Sequence, residues 1–348
     1  MRAIAGTEPA TTPAQILRSA FLPHPLLANP HLQTVAAALV RTSRLPLRVE
    51  RHETADDDFI DIGWFNEDAP GPLVVLVHGI GGDLTAGYVH SMARALAAQG
   101  WGAVGLQLRG AGPEANRQPA MYHHGDTADF RWLCRMLRRR FPERPLCAIG
   151  WSLGGSIVIK ALGEEGEASP LDGAIAVSVP LRLRECAEYL RRGSARFYQE
   201  LMLRHVKRVL RRKHRRAPLP AHFDMDAILA ARDFLELGDV YTAPMTGHRT
   251  GVEYCELANP GRYLHAIARP TLVLQALDDP FLGPATLPDQ PVSAQVRIEA
   301  AEHGGHVGFI AADDWGRPVS WMESRLLDFL KGSVAVPAEP RKGVRAAA

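Results

Sequence analysis

The sequence predicts an α/β fold, a mostly parallel sheet flanked by helices on both faces with an inserted helical lid, on three observations. Short apolar runs alternate with helical patterns toward both ends of the chain. A serine stands between glycines where one strand gives way to a helix. One long, basic, helical block interrupts the alternation.

The elements follow in order. Residues 48–52 and 57–66 read as an opening pair of strands. Residues 73–77, LVVLV, form a continuous β-branched run, which marks a strand buried on both faces. A helix is expected over 88–99, ended by Gly100, and a strand over 102–107. Residues 126–141 place Phe130, Leu133, Cys134 and Leu137 on one helical stripe. Residues 146–149 read as a strand, 153–162 as a helix and 173–179 as a strand. From 181 to about 264 the text is helical and irregular. Strands resume over 271–275 and near 295–298, and an amphipathic helix over 321–330 closes the domain. The expected organisation is a core in two parts, 21–180 and 265–331, around a lid at 181–264. The Pro-containing ends, 1–20 and 332–348, are expected to be disordered.

Composition narrows the function. Hydrophobic residues make up 46% of the 348 and charged residues 22%, which suits a globular protein with a core. A net charge of +2 excludes a nucleic-acid polycation. Cys134, Cys147, Cys186 and Cys255 lie too far apart for a zinc spacing or a dense disulfide framework, so a cytoplasmic, reducing setting is expected. The N-terminus lacks the apolar stretch of a secretory signal. The longest obvious apolar run, 73–77, is too short to span a bilayer.

The chemistry is carried by Gly150-Trp151-Ser152-Leu153-Gly154, a G-x-S-x-G pattern. The pattern alone is weak, since an ordinary glycine turn also matches it. Its place between a strand and a helix makes it a nucleophile elbow. There a strained serine projects its Oγ above the sheet, and glycines two positions away on either side avoid collision. A serine hydroxyl needs a base, and in this arrangement the acid and the base follow it in the chain. His306, behind two glycines, is the candidate base; His303 reads as a solvated loop histidine. Asp279 is the candidate acid, although spacing hardly separates it from Asp278, which could cap the turn instead. The oxyanion donors are expected to be the N–H groups of Leu153 and Ile80, the latter from the loop His78-Gly79-Ile80-Gly81-Gly82. A phosphate cradle is the other reading of that loop, but neither dinucleotide nor P-loop spacing is present.

Taken together, these residues resemble the YheT-like subfamily of α/β-fold hydrolases, which is related to ABHD1/ABHD3-type lipid hydrolases. The resemblance runs over about residues 21–330. It rests on Asn29-Pro30-His31-Leu32-Gln33-Thr34, Arg109-Gly110 with Asn116-Arg117, Tyr122-His123-His124-Gly125, Tyr241-Thr242-Ala243-Pro244, Asp278-Asp279-Pro280-Phe281 and Gly304-Gly305-His306-Val307-Gly308-Phe309. It implies an α/β-hydrolase fold and a serine carboxylesterase that cleaves acyl esters, including lipid-like ones, through an acyl-enzyme. It further implies Ser152, Asp279 and His306 as the triad, favouring the second aspartate, with no metal and no organic cofactor. Cys255, His248 and Asn259 depart from the group's pattern and bear on the shape of the acyl pocket.

The lid is strongly basic: from Arg182 to Arg216 there are 13 Lys and Arg against three Glu. Leu201, Val206, Val209 and Leu210 are expected to face the core and the arginines to face outward. A solvated face is the plain reading. Peripheral contact with an anionic membrane, at its inner face, is the sharper one. Nucleic-acid binding is not expected, because aromatic interleaving is thin. Two functions compete with ester hydrolysis: acyl transfer by the same triad, and a non-catalytic protein that binds anionic surfaces.

Overall fold

The computed structural model describes residues 11–12, 16–39, 44–283 and 286–333. Most of the stretch 1–20 and nearly all of 332–348, for which disorder is expected, lie outside the described residues.

The frame is one nine-stranded sheet. Its strands are β1 Ile16–Arg18, β2 Arg48–Glu53, β3 Phe59–Phe65, β4 Leu73–Val77, β5 Gly102–Gln107, β6 Leu146–Trp151, β7 Gly173–Val177, β8 Thr271–Ala276 and β9 Val296–Ala301. They lie side by side in the order β1-β9-β8-β7-β6-β4-β5-β3-β2. From β1 through β5 every pairing is parallel; only β3 runs against its neighbours. The LVVLV run shows why the sheet needs cover on both sides. Leu73, Val75 and Val77 enter one apolar cluster and Val74 and Leu76 the other, as alternation along a strand requires.

Helices α1 Pro30–Leu39, α2 Gly87–Ala97, α3 Ala128–Arg140 and α4 Leu153–Glu165 precede the cap. The cap holds α5 Leu183–Leu190, α6 Ala195–Arg216, α7 Met225–Ala230, α8 Phe234–Leu237, α9 Ala243–Thr246 and α10 Gly251–Leu257, and α11 Trp321–Ser333 closes the chain. On one face of the sheet α3 supplies Phe130, Leu133, Cys134 and Leu137, the stripe its periodicity predicts, beside α4. On the other, α2 and α11 supply Met92, Leu96, Leu326 and Leu330.

The cap is tied into the core, because Leu203, Val206, Val209 and Leu210 of α6 join the cluster that α3 and α4 build, while Leu183, Ala243, Tyr254, Cys255 and Ala258 form a small apolar cluster of the cap's own. Leu201 departs from the stripe expected for this helix: it is 46% exposed. At 100° per residue it stands about 140° round the helix from Val206. Its place in the buried row is extended instead by Lys213, which is 2% exposed. All four cysteines are free and buried.

Register sets up the site. Val77 pairs with Gly150, Trp151 with Val177, Val177 with Leu274, and Ala276 with Ala301. The ends of β4, β6, β7, β8 and β9 therefore reach one rim of the sheet at the same level. Every segment singled out for chemistry leaves the sheet at that rim, where α/β sites lie.

Candidate active site

Ser152 takes φ 53° and ψ −118° between β6 and α4, a conformation that an L residue adopts only under constraint. Its N–H donates to the Val177 carbonyl at 2.8 Å, and its carbonyl accepts the first helical bond from Ser156 at 3.0 Å. The flanking glycines are required by space. A Cβ on Gly154 would lie 2.1 Å from the Val77 carbonyl oxygen, and one on Gly150 would lie 2.4 Å from the Gly154 carbonyl oxygen. A Cβ on Gly155 would lie 2.5 Å from Val179 Cγ2.

The loop after β4 lies directly against this turn: a Cβ on Gly79 would approach the Ser152 Cβ to 3.2 Å. The loop is pinned from beneath. The Gly79 N–H donates to the Tyr88 hydroxyl at 3.0 Å, and the Gly81 N–H donates to the Tyr122 hydroxyl at 3.1 Å. His78 is a structural member of the loop. Its Nε2 accepts from the Leu108 N–H at 3.2 Å, so its Nδ1 carries the proton and donates to the Gly79 carbonyl at 2.9 Å. Burial pushes its pKa down to about 4, so the ring is neutral at pH 7. Between these pinned groups, among the described residues, the N–H groups of Ile80 and Leu153 have no protein acceptor. Both residues line the cavity beside Ser152.

The two aspartates and the two histidines sort into separate pairs. Asp279, 1% exposed, accepts His306 Nδ1–H on one oxygen at 2.8 Å. Its other oxygen accepts the N–H groups of Phe281 at 2.8 Å and Leu282 at 3.2 Å. Asp278 accepts the Gly305 N–H at 3.0 Å and lies 3.2 Å from Nδ1 of a half-exposed His303. The second pair thus braces the loop from outside, and the first lies within. Ser152 and His306 open onto the same cavity. Among the described residues Ser152 Oγ forms no hydrogen bond, to His306 included; such bonds often tighten only once substrate is bound.

Several supports of the histidine loop are invisible in local spacing. The His306 N–H donates to Thr34 Oγ1 at 2.9 Å, and Gln33, fully buried, bonds both the N–H and the carbonyl of Ile310. A Cβ on Gly305 would lie 2.5 Å from the Pro30 carbonyl oxygen. The motif at 29–34 is therefore a strut under the loop. Phe281 stacks on the His306 ring at 4.1 Å and 17°. Tyr198 of α6 lies on Phe281 at 4.5 Å, and its hydroxyl is 2.7 Å from His31 Nδ1.

The cavity between core and cap offers about 1010 Å³ of space, the open solvent at its mouth included. Its cap wall is apolar, with Leu183, Leu190, Val206, Leu237 and Met245. A π-helical turn at Gly238–Thr242 brings Tyr241 and Thr242 to the lining. Of the three departures noted in the sequence, Cys255 lines the cavity. His248 stands edge-on to Tyr254 at 5.8 Å, and Asn259 accepts the Leu183 N–H at 3.1 Å, which fixes the start of α5. Among the described residues no cluster of His, Cys, Asp and Glu could hold a metal ion.

Comparison with known proteins places the fold in a family. A family model described as alpha/beta hydrolase fold matches residues 72–313. The "Putative esterase YheT" of Escherichia coli (strain K12) is 34% identical over 315 residues, 89% of this chain and 92% of that protein. The phospholipase ABHD3 of Mus musculus is 28% identical over 84% of this chain and 74% of its own. Among solved structures, the Pyrococcus furiosus esterase Pf2001 superposes with a TM-score of 0.53 at 14% identity, covering 93% of this chain and 99% of that one, a likeness of fold.

Proposed function

Because the chain belongs to the YheT-like branch of the α/β-hydrolase family and is a carboxylesterase-type hydrolase, we propose that it cleaves acyl esters through an acyl-enzyme on Ser152. In this reading Ser152 Oγ attacks the ester carbonyl while His306 Nε2 takes its proton. The N–H groups of Ile80 and Leu153, left unpaired beside the serine, hold the oxyanion, aided by the N-terminal end of α4. Asp279, anchored by two backbone N–H groups, keeps the His306 proton on Nδ1 and stabilises the imidazolium. Collapse of the adduct releases the alcohol, which takes the proton from His306. Water then attacks the acyl-enzyme, giving its proton to His306, and the acid leaves as Ser152 recovers its hydrogen.

The observation that carries this reading is a single cavity onto which both the strained Ser152 and the Asp279-anchored His306 open. Its apolar cap wall fits the hydrocarbon part of an ester. The exposed face of α6 favours substrates at an anionic lipid surface, since Arg208, Arg211 and Arg215 turn outward near exposed Phe197 and Leu201. The test is covalent labelling with a fluorophosphonate, beside hydrolysis of p-nitrophenyl esters of increasing chain length. Labelling and turnover are expected in the native protein, and both should vanish in Ser152→Ala. A folded native protein that neither labels nor turns over any ester overturns the reading.

A further inference from the structure

Two histidines in the loop before α3 face the cavity and have no part in the chemistry above. His123 and His124 both line it. His123 Nδ1 accepts from the Gly125 N–H at 3.1 Å and lies 3.4 Å from the Tyr254 hydroxyl. A ring nitrogen that accepts a backbone N–H carries no proton, so the proton of this ring sits on Nε2. Among the described residues that Nε2–H has no acceptor. The residue is nevertheless only partly buried, on a cavity wall. His124 Nδ1 lies 3.0 Å from Ser156 Oγ. Ser156 is one turn beyond Ser152 on α4, which sets this pair about 6 Å along the helix from the nucleophile.

Two tyrosine hydroxyls of the lining are engaged. The Tyr122 hydroxyl accepts from Gly81, and the Tyr241 hydroxyl donates to the Pro119 carbonyl at 2.8 Å. A hydrogen-bond donor without a partner in an otherwise apolar pocket discriminates strongly, because a ligand that cannot accept leaves it unpaired.

We propose that His123, with His124 beside it, forms a hydrogen-bonding subsite that selects esters bearing a second oxygen function, a hydroxyl, ether or further ester carbonyl, at a fixed distance from the scissile carbonyl. The subsite rests on the esterase reading above and narrows its substrate class. Burial holds the pKa of His123 down to about 3 and that of His124 to about 4. Both rings are therefore neutral at pH 7, and the subsite suits an uncharged oxygen better than a carboxylate, which would be buried without a counter-charge.

The test is an oxygen scan. One ether oxygen replaces each methylene in turn, first along the acyl chain and then along the alcohol chain of a medium-length ester, and kcat/KM is compared with that of the all-carbon ester. One position in one arm is expected to be favoured roughly three- to tenfold. That ratio should fall to about one in His123→Phe and be partly retained in His123→Gln, which keeps a donor. A flat scan, or a peak unchanged in His123→Phe, overturns the proposal and leaves the pair as a seat for water. Calorimetric binding of matched non-hydrolysable amides to Ser152→Ala reads the same preference without turnover. Absence of hydrolysis would thus count against the esterase reading, whereas equal binding of the two amides would count against the subsite.

Discussion

Asp278 and Asp279 are adjacent, identical in chemistry and opposite in placement. The β-turn after β8 turns Asp279 inward, where two backbone N–H groups and the His306 ring use both of its oxygens. Asp278 turns outward to Gly305 and His303. An amide at 279 would offer His306 Nδ1 a donor where an acceptor is needed and would favour the wrong tautomer. Asp279→Asn is therefore expected to lower kcat by roughly ten-thousand-fold with little change in fold. Asp278→Asn retains an oxygen for the Gly305 N–H and should cost less than about tenfold. Esterase kinetics on both variants, with circular dichroism to confirm folding, checks the assignment, and comparable losses would refute it. The sequence offered both residues and could not choose between them by spacing. The choice depends on which side of the turn faces the sheet rim, a three-dimensional fact.

At the scale of elements, the helices and strands of the core were legible because their periodicity answers to one partner, the sheet. Strand 73–77 and the stripe of α3 appear where pattern puts them. The elbow was legible because only glycine fits at 150 and 154, so the constraint is written locally. What pattern missed is held by long-range pairing: the strut from Gln33 and Thr34 to the histidine loop, and the aromatic stack from His306 through Phe281 to Tyr198. Helix α6 shows the same limit. Its basic run reads as uniformly exposed, yet Lys213 is buried with Nζ donating to Asn116 Oδ1 at 2.5 Å and to the Ala120 carbonyl at 2.8 Å. Asn116 in turn donates to buried Asp58 at 2.7 Å.

Burial lowers the Lys213 pKa to about 8, against the pull of Asp58 and with a push from Arg109. The unfolded chain therefore holds more protons at this residue than the folded one between about pH 8 and its ordinary value of about 10.4. Within that window the contribution of Lys213 to stability rises with pH, and below it the contribution is flat. Lys213→Met removes the titration. The melting temperature of the native protein should consequently gain on that of Lys213→Met between about pH 7.5 and pH 10. A difference independent of pH would show that the amine titrates alike in both states.

For the molecule as a whole, the near-neutral total hides a division of charge. The stretch 182–216 carries an excess of ten positive charges, and the remainder of the chain is correspondingly acidic. Part of that excess is spent internally: Arg204 pairs with Glu200, Arg216 with Glu114, and Arg212 donates to the Gly110 and Gly112 carbonyls. Among the described residues Arg208, Arg211 and Arg215 have no carboxylate partner, and all three are exposed on α6. Phe197, 60% exposed, and Leu201 stand on the same helix. Among the described residues no helix is long and apolar enough to cross a membrane. Three unpaired arginines contribute about 1 kcal/mol each near an anionic bilayer, and salt screens that attraction within about 10 Å at 0.1 M. The protein is therefore expected to float with anionic vesicles at low salt and to be released at about 0.5 M. Neutral vesicles should recover little of it, and replacing Arg208, Arg211 and Arg215 together by Gln should abolish the difference while leaving hydrolysis of a water-soluble ester in place. Equal recovery on neutral and anionic vesicles would assign the arginines to solvation alone.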